Sequence, residues 1–98
     1  MAFVISPDVA RKLQAKSPPV TQQEIEQCFE NRHASLLIDK RLRNRTTPPT
    51  LWFIAKTNHR RDLKVVYIQM GADIVIKTAY EPNPDECRIY TKYSVPRS

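Results

Sequence analysis

The chain has 98 residues, 41% of them apolar, with 16 Lys and Arg against 10 Asp and Glu for a formal net charge of +6. That length and apolar share supply one core and exclude a second module, so residues 1–98 read as a single domain. A cationic surplus on so short a chain favours phosphate backbones or acidic proteins as partners, the competing account being a merely solvated surface.

No apolar run reaches signal-peptide length or the roughly 20 residues of a membrane span, which predicts a cytoplasmic protein without membrane association. Cys28 and Cys87 lie far apart, each among apolar residues of an expected helix, and read as core packing rather than a disulfide frame. His33 and His59 share no ligand spacing with each other or with the cysteines, and a zinc site needs about four converging ligands. The expectation is no metal and no cofactor.

In chain order, Phe3 to Ile5 is a short strand candidate for a sheet edge. Ser6, Pro7 and Asp8 then supply an N-cap, a proline at the first helical position and an acid in the first turn, predicting a helix from Pro7 to about Lys16. Pro18 and Pro19 end it. Thr21 and Glu24 in TQQE make a capping box, with Val20 and Ile25 spaced for a hydrophobic staple, and Ile25, Cys28 and Phe29 form one apolar face. LLID, from Leu36, is a short strand candidate. The segment from Lys40 to Arg45 carries four cations before the TTPPT loop.

Three stronger strands follow, LWFIAKT from Leu51, LKVVYIQM from Leu63 and IVIKTAY from Ile74, rich in β-branched and aromatic residues and separated by the turn-prone NHRRD and GAD. Their short connections predict an antiparallel meander. Asn83, Pro84, Asp85 and Glu86 repeat the cap, proline and acid pattern and predict a third helix to about Lys92.

The fold expected is therefore α+β: two N-terminal helices packed on a three- to four-stranded antiparallel sheet, followed by a C-terminal helix. Helices cover one sheet face and leave the other partly open. Strict alternation sets Ile74, Ile76, Thr78 and Tyr80 on one side of the last strand and points Lys77 to the wetter face.

The layout FVISPDVARKLQAK, a second capped helix, then strands ending in IVIKTAYEPNPDECRIY resembles the BrnT family of ribonuclease toxins, of the RelE-like class, over most of the chain. Lys16, Glu86, Arg88 and Tyr90 sit where that family carries a helix-ending lysine and a Glu-Arg-x-x-Tyr-like helix. Tyr80 and Glu81 stand where the toxins carry an arginine, and Ser17 where they carry a histidine. The resemblance implies a toxin-like component of a bacterial toxin-antitoxin system, a metal-independent endoribonuclease with RNA as substrate and an antitoxin protein as partner. PPTLWF, LKVVY and IKTAYEPN are also similar to a group of small bacterial proteins labelled ADP-ribosyl-(dinitrogen reductase) hydrolase, which implies ADP-ribose processing as a further reading.

Metal-free RNA cleavage needs a base for the 2′-hydroxyl, cations on the developing phosphorane and an acid for the leaving oxygen. Besides Lys16, the catalytic candidates are Arg61 and Lys77 for phosphate, Glu81 as base and Tyr80 as proton donor. Lys40, Arg41, Arg43, Arg45, Arg60 and Arg88 are the candidates for binding nucleic acid. Trp52 and Tyr67 could stack on bases, though core membership competes for both. The alternative function is a non-catalytic module on the same fold that binds nucleic acid or a partner protein.

Overall fold

The computed structural model describes residues 2–32, 37–38 and 48–94. In chain order they form β1 (Ala2–Val4), α1 (Pro7–Gln14), α2 (Gln22–Glu30), β2 (Leu37–Ile38), β3 (Thr50–Lys56), β4 (Asp62–Met70), β5 (Asp73–Tyr80) and α3 (Pro84–Tyr93). The chain is α+β. No helix among the described residues is long and apolar enough to cross a membrane.

Each helix starts on its local chemistry. Ser6 Oγ accepts the Val9 amide at 3.3 Å with Pro7 in the first turn of α1. In α2, Thr21 Oγ1 accepts the Glu24 amide at 3.1 Å and Glu24 Oε1 accepts the Thr21 amide at 3.0 Å, with Val20 and Ile25 both buried beside this box. Asn83 and Glu86 close the same reciprocal pair at α3. Helix α1 ends at Gln14, short of the expected Lys16, so Lys16 lies in the connection to α2.

The described strands form one mixed sheet in the order β1-β5-β4-β3-β2. The edge strand β1 is parallel to β5, and all other pairs are antiparallel. The β4–β5 turn is two residues long, and Gly71 takes φ 60 there, a conformation a glycine adopts without a Cβ clash.

Strict alternation fails in β5. Val66 pairs with Thr78 while Tyr67 pairs with Ile76, so Lys77 is an extra residue, a β-bulge. The bulge corrects the expected faces: Ile74 and Ile76 share a side with Ala79, whereas Thr78 and Tyr80 lie on the other with Val66 and Lys64. Only this shift lets all three apolar residues reach the same core, in which each is buried.

The first face carries Phe53, Ala55, Leu63, Val65 and Tyr67 as well, all buried. Helix α2 packs there through Phe29, whose ring meets Phe53 at 4.8 Å, Tyr67 at 5.0 Å and Phe3 at 5.2 Å between centroids, all edge-to-face. Such pairs add about 0.5–1.5 kcal/mol each beyond the area they bury. Cys28 is fully buried in the same layer, as expected of a packing residue, and Cys87 is half-buried; both thiols are free.

The second face is not left open where a helix was expected to be missing. Helix α3 crosses it, with Tyr90 against Trp52 at 5.6 Å and Glu86 bonded to both Lys64 and Tyr80. The helices therefore sandwich the sheet, because the apolar Trp52 and Val66 on this face need cover as much as the first face does.

Candidate nucleic-acid interface

The register brings the end of β3, the start of β4 and the end of β5 together: Ile54 lies opposite Lys64, and Lys64 opposite Tyr80. The α1–α2 connection and the N-terminus of α3 close on this same end through side-chain bonds. Lys16 and Tyr80 meet here, as do Arg61 and Glu81, all four singled out from the sequence.

Two clasps organise the end. In the first, the cap of α3 is tied to the sheet. Glu86 Oε1 accepts the Asn83 amide at 3.0 Å, and its second oxygen accepts Lys64 Nζ at 2.8 Å and the Tyr80 hydroxyl at 2.6 Å. The Lys64 ammonium also stands 4.5 Å from the Trp52 ring centroid, with its side chain only 8% exposed. Burial alone would raise the Glu86 pKa, but the bonds from Lys64, Tyr80 and the Asn83 amide outweigh it and hold the carboxyl below its ordinary value. Lys16 Nζ lies 5.6 Å from the centroid of the Tyr80 ring, within cation–π reach.

In the second clasp, Arg61 is turned inward. Its Nε donates to Glu81 at 2.9 Å, Nη1 to the Pro19 carbonyl at 2.7 Å and to both oxygens of Glu24 at 3.2 Å, and Nη2 to the Pro18 carbonyl at 2.7 Å. All three nitrogens are engaged. A guanidinium so placed pins the α1–α2 connection, α2 and the end of β5 together, and it has no fork to offer a phosphate. Glu81, its partner, is half-exposed but bound to that cation.

The remaining candidates separate. Arg60 is exposed at the tip of the β3–β4 hairpin, beside exposed His59. Lys77 is exposed on the bulge, two rungs from the lysine–glutamate clasp, and lies outside both clasps. Arg88 projects from α3 and pairs with Asp85 one turn earlier. Lys40, Arg41, Arg43 and Arg45 lie outside the described residues. Trp52 and Tyr67 are buried core members, so neither ring presents a free face to a base.

Sequence reasoning missed Lys64. Its signal was nonetheless there: in LKVVYI it falls in phase with Val66 and Ile68 on a face otherwise apolar, and a lysine in that position requires an acid from elsewhere. Among the described residues no three of His, Cys, Asp and Glu converge as a metal site would need.

The charges are unevenly spent. Asp8, Glu24, Asp62, Glu81, Asp85 and Glu86 each pair with a cation, whereas Lys12, Lys16, Arg60, Lys77 and Lys92 pair with no acid, and Glu26, Glu30 and Asp73 with no cation, among the described residues. The described residues hold 11 Lys and Arg against 9 Asp and Glu, an excess of two, and the larger share of the net +6 belongs to residues outside them. No family model, curated protein or solved structure matches the chain.

Proposed function

We propose that this chain is a toxin-like, RNA-binding domain of the bacterial cytoplasm that presents the clasped end of its sheet to a phosphate backbone and is countered by an acidic antitoxin protein. The observation that carries the reading is the charge distribution at that end. Lys16, Lys56, Arg60, Arg61 and Lys64 outnumber Glu24, Asp62, Glu81 and Glu86 there by one, and because the four acids are held in pairs with Lys56, Arg61 and Lys64, Lys16 and Arg60 are the cations left without a carboxylate. A cationic surface of this kind binds phosphate chains with little regard to sequence and loses affinity steeply as salt rises.

The test is binding of single-stranded RNA by fluorescence anisotropy between 50 and 200 mM salt. A log–log salt dependence with a slope of about two phosphate contacts, one each from Lys16 and Arg60, is expected. Absence of binding at the lower salt overturns the reading. A tight, salt-independent complex with a protein partner instead would favour a protein-binding module.

Metal-independent endoribonuclease activity is a second reading, favoured by one specific observation. The Tyr80 hydroxyl and the Glu86 carboxylate are a proton donor and a proton acceptor 2.6 Å apart, with the Lys16 ammonium beside the same ring. A substrate displacing Tyr80 from Glu86 would find an ionised acceptor for its 2′-hydroxyl proton, a donor for the leaving oxygen and a cation for the phosphorane. RNA should then be cut in the presence of a chelator, and Tyr80→Phe should lower the rate with little change in affinity. Intact RNA after long incubation with folded protein would leave binding as the function.

A further inference from the structure

Arg60 has φ 66, in the left-handed region where glycine and asparagine are at home and a longer side chain is strained. It is the last residue of a three-residue hairpin loop, in which the Arg60 amide donates to the Thr57 carbonyl and the Thr57 amide to the Arg61 carbonyl, each at 2.9 Å. In loops of this length the third position is the one that takes that conformation, and Gly is its usual occupant. The chain uses a glycine for the corresponding need at Gly71 but not here.

The loop is tied down from several sides. Thr57 Oγ1 accepts the amides of His59 at 3.3 Å and Arg61 at 3.1 Å. From α2, Gln27 Oε1 accepts the Asn58 amide at 3.0 Å, and Asn31 Nδ2 donates to Asn58 Oδ1 at 2.9 Å and to the Lys56 carbonyl at 3.0 Å. The next residue, Arg61, is held by its own clasp. The neighbouring acid Asp62 is taken by Lys56 at 2.7 Å. What protrudes from this rigid base is His59 and Arg60, both exposed and neither paired with an acid among the described residues.

We propose that the β3–β4 hairpin tip is a pre-set prong in which Arg60, with His59 beside it, grips a phosphate of a nucleic-acid backbone. The proposal deepens the RNA-binding reading and rests on it for the identity of the polymer. A fork of N–H donors matches phosphate oxygens in a way a lysine point charge does not. A loop backbone already tied in place removes the backbone share of the ordering cost of binding, leaving only the arginine side chain to be ordered. Strain retained at one exposed position, while every surrounding bond is satisfied, is the pattern expected of a residue kept for contact rather than for folding.

The experiment separates those two roles. Arg60→Asn suits the left-handed backbone and removes the guanidinium, so it should melt at or above the parent's temperature. RNA affinity at 50 mM salt should nonetheless fall roughly fivefold, and the log–log salt slope should drop by about one. Arg60→Lys should keep the salt slope yet recover only part of the affinity. In parallel, NMR titration of the parent with inorganic pyrophosphate should shift the His59 and Arg60 amide signals. Unchanged RNA affinity and slope in Arg60→Asn, or tip signals unmoved by pyrophosphate, overturns the prong. If the parent binds no RNA while pyrophosphate moves the tip, the phosphate site stands and the RNA reading fails. A lower melting temperature in Arg60→Asn would make the arginine a folding residue and also defeat the proposal.

Discussion

Lys64 and Glu86 form an ion pair of 2.8 Å on the sheet face that also carries Trp52, Val66, Thr78 and Tyr80. The same carboxylate caps α3, so one acidic side chain both starts a helix and docks it.

That double use predicts an acid-sensitive contact. The Glu86 pKa is held below its ordinary value of 4.5 in the folded protein, so its stabilising contribution is complete above that ordinary value and is lost as pH falls through the depressed one. Glu86→Gln should cost about 2–3 kcal/mol at pH 7, because Lys64 keeps a buried charge without a charged partner. It should also flatten the acid limb of stability in urea unfolding. A variant matching the parent at both pH 7 and pH 3 would show that the pair is energetically idle.

Arg61 should behave as a structural residue. Arg61→Lys retains the charge but cannot reach two proline carbonyls and two carboxylates at once, and a loss of about 2–3 kcal/mol is expected. The salt slope of RNA binding, measured where the variant remains folded, should not change. A lowered slope with unchanged stability would restore Arg61 as a phosphate contact.

Thr21→Ala removes the acceptor for the Glu24 amide and frees Glu24 from its bond to the Thr21 hydroxyl. The expected cost is about 1 kcal/mol, or roughly 4–8 °C in melting temperature for a domain of this size. Circular dichroism would show it, and an unaltered transition would place the start of α2 elsewhere in energetic terms.

The two cysteines should react at very different rates. Burial, reinforced by the charges of Glu24 and Asp62, pushes the Cys28 thiol up to about 12, so it stays protonated and covered at pH 8. Half-buried Cys87 should take up a maleimide in the native protein, and Cys28 only after denaturation. Rapid labelling of both thiols without denaturant would mean that α2 opens readily from the sheet.

The features readable along the chain are those closed within a single turn or strand. Ser6 with Val9, Thr21 with Glu24 and Asn83 with Glu86 are each three residues apart, and the β-branched runs of β3, β4 and β5 carry their own preference for extended backbone. Helix starts, strand positions and the α+β class were legible for that reason. Lys16, Arg60 and Tyr80 were likewise recognisable as candidates from residue type and neighbourhood.

Where those residues point depends on contacts between segments distant in the chain. The bulge at Lys77 moved Ala79 onto the core face and Tyr80 onto the other, a register choice made by the partner strand and not by β5 itself. Lys64 meets Glu86 across 22 residues of chain, and Arg61 meets Glu24 across 37. No local pattern specifies either encounter, because a long side chain's partner is set by which strands and helices pack together. Arg60 and Arg61 are adjacent and alike in the sequence, yet Arg61 is turned inward to two backbone and two acidic anchors while Arg60 is held outward by its own left-handed backbone geometry. The difference arises from the hairpin's hydrogen bonds and from the segments that fold against it, which exist only once the chain has closed on itself.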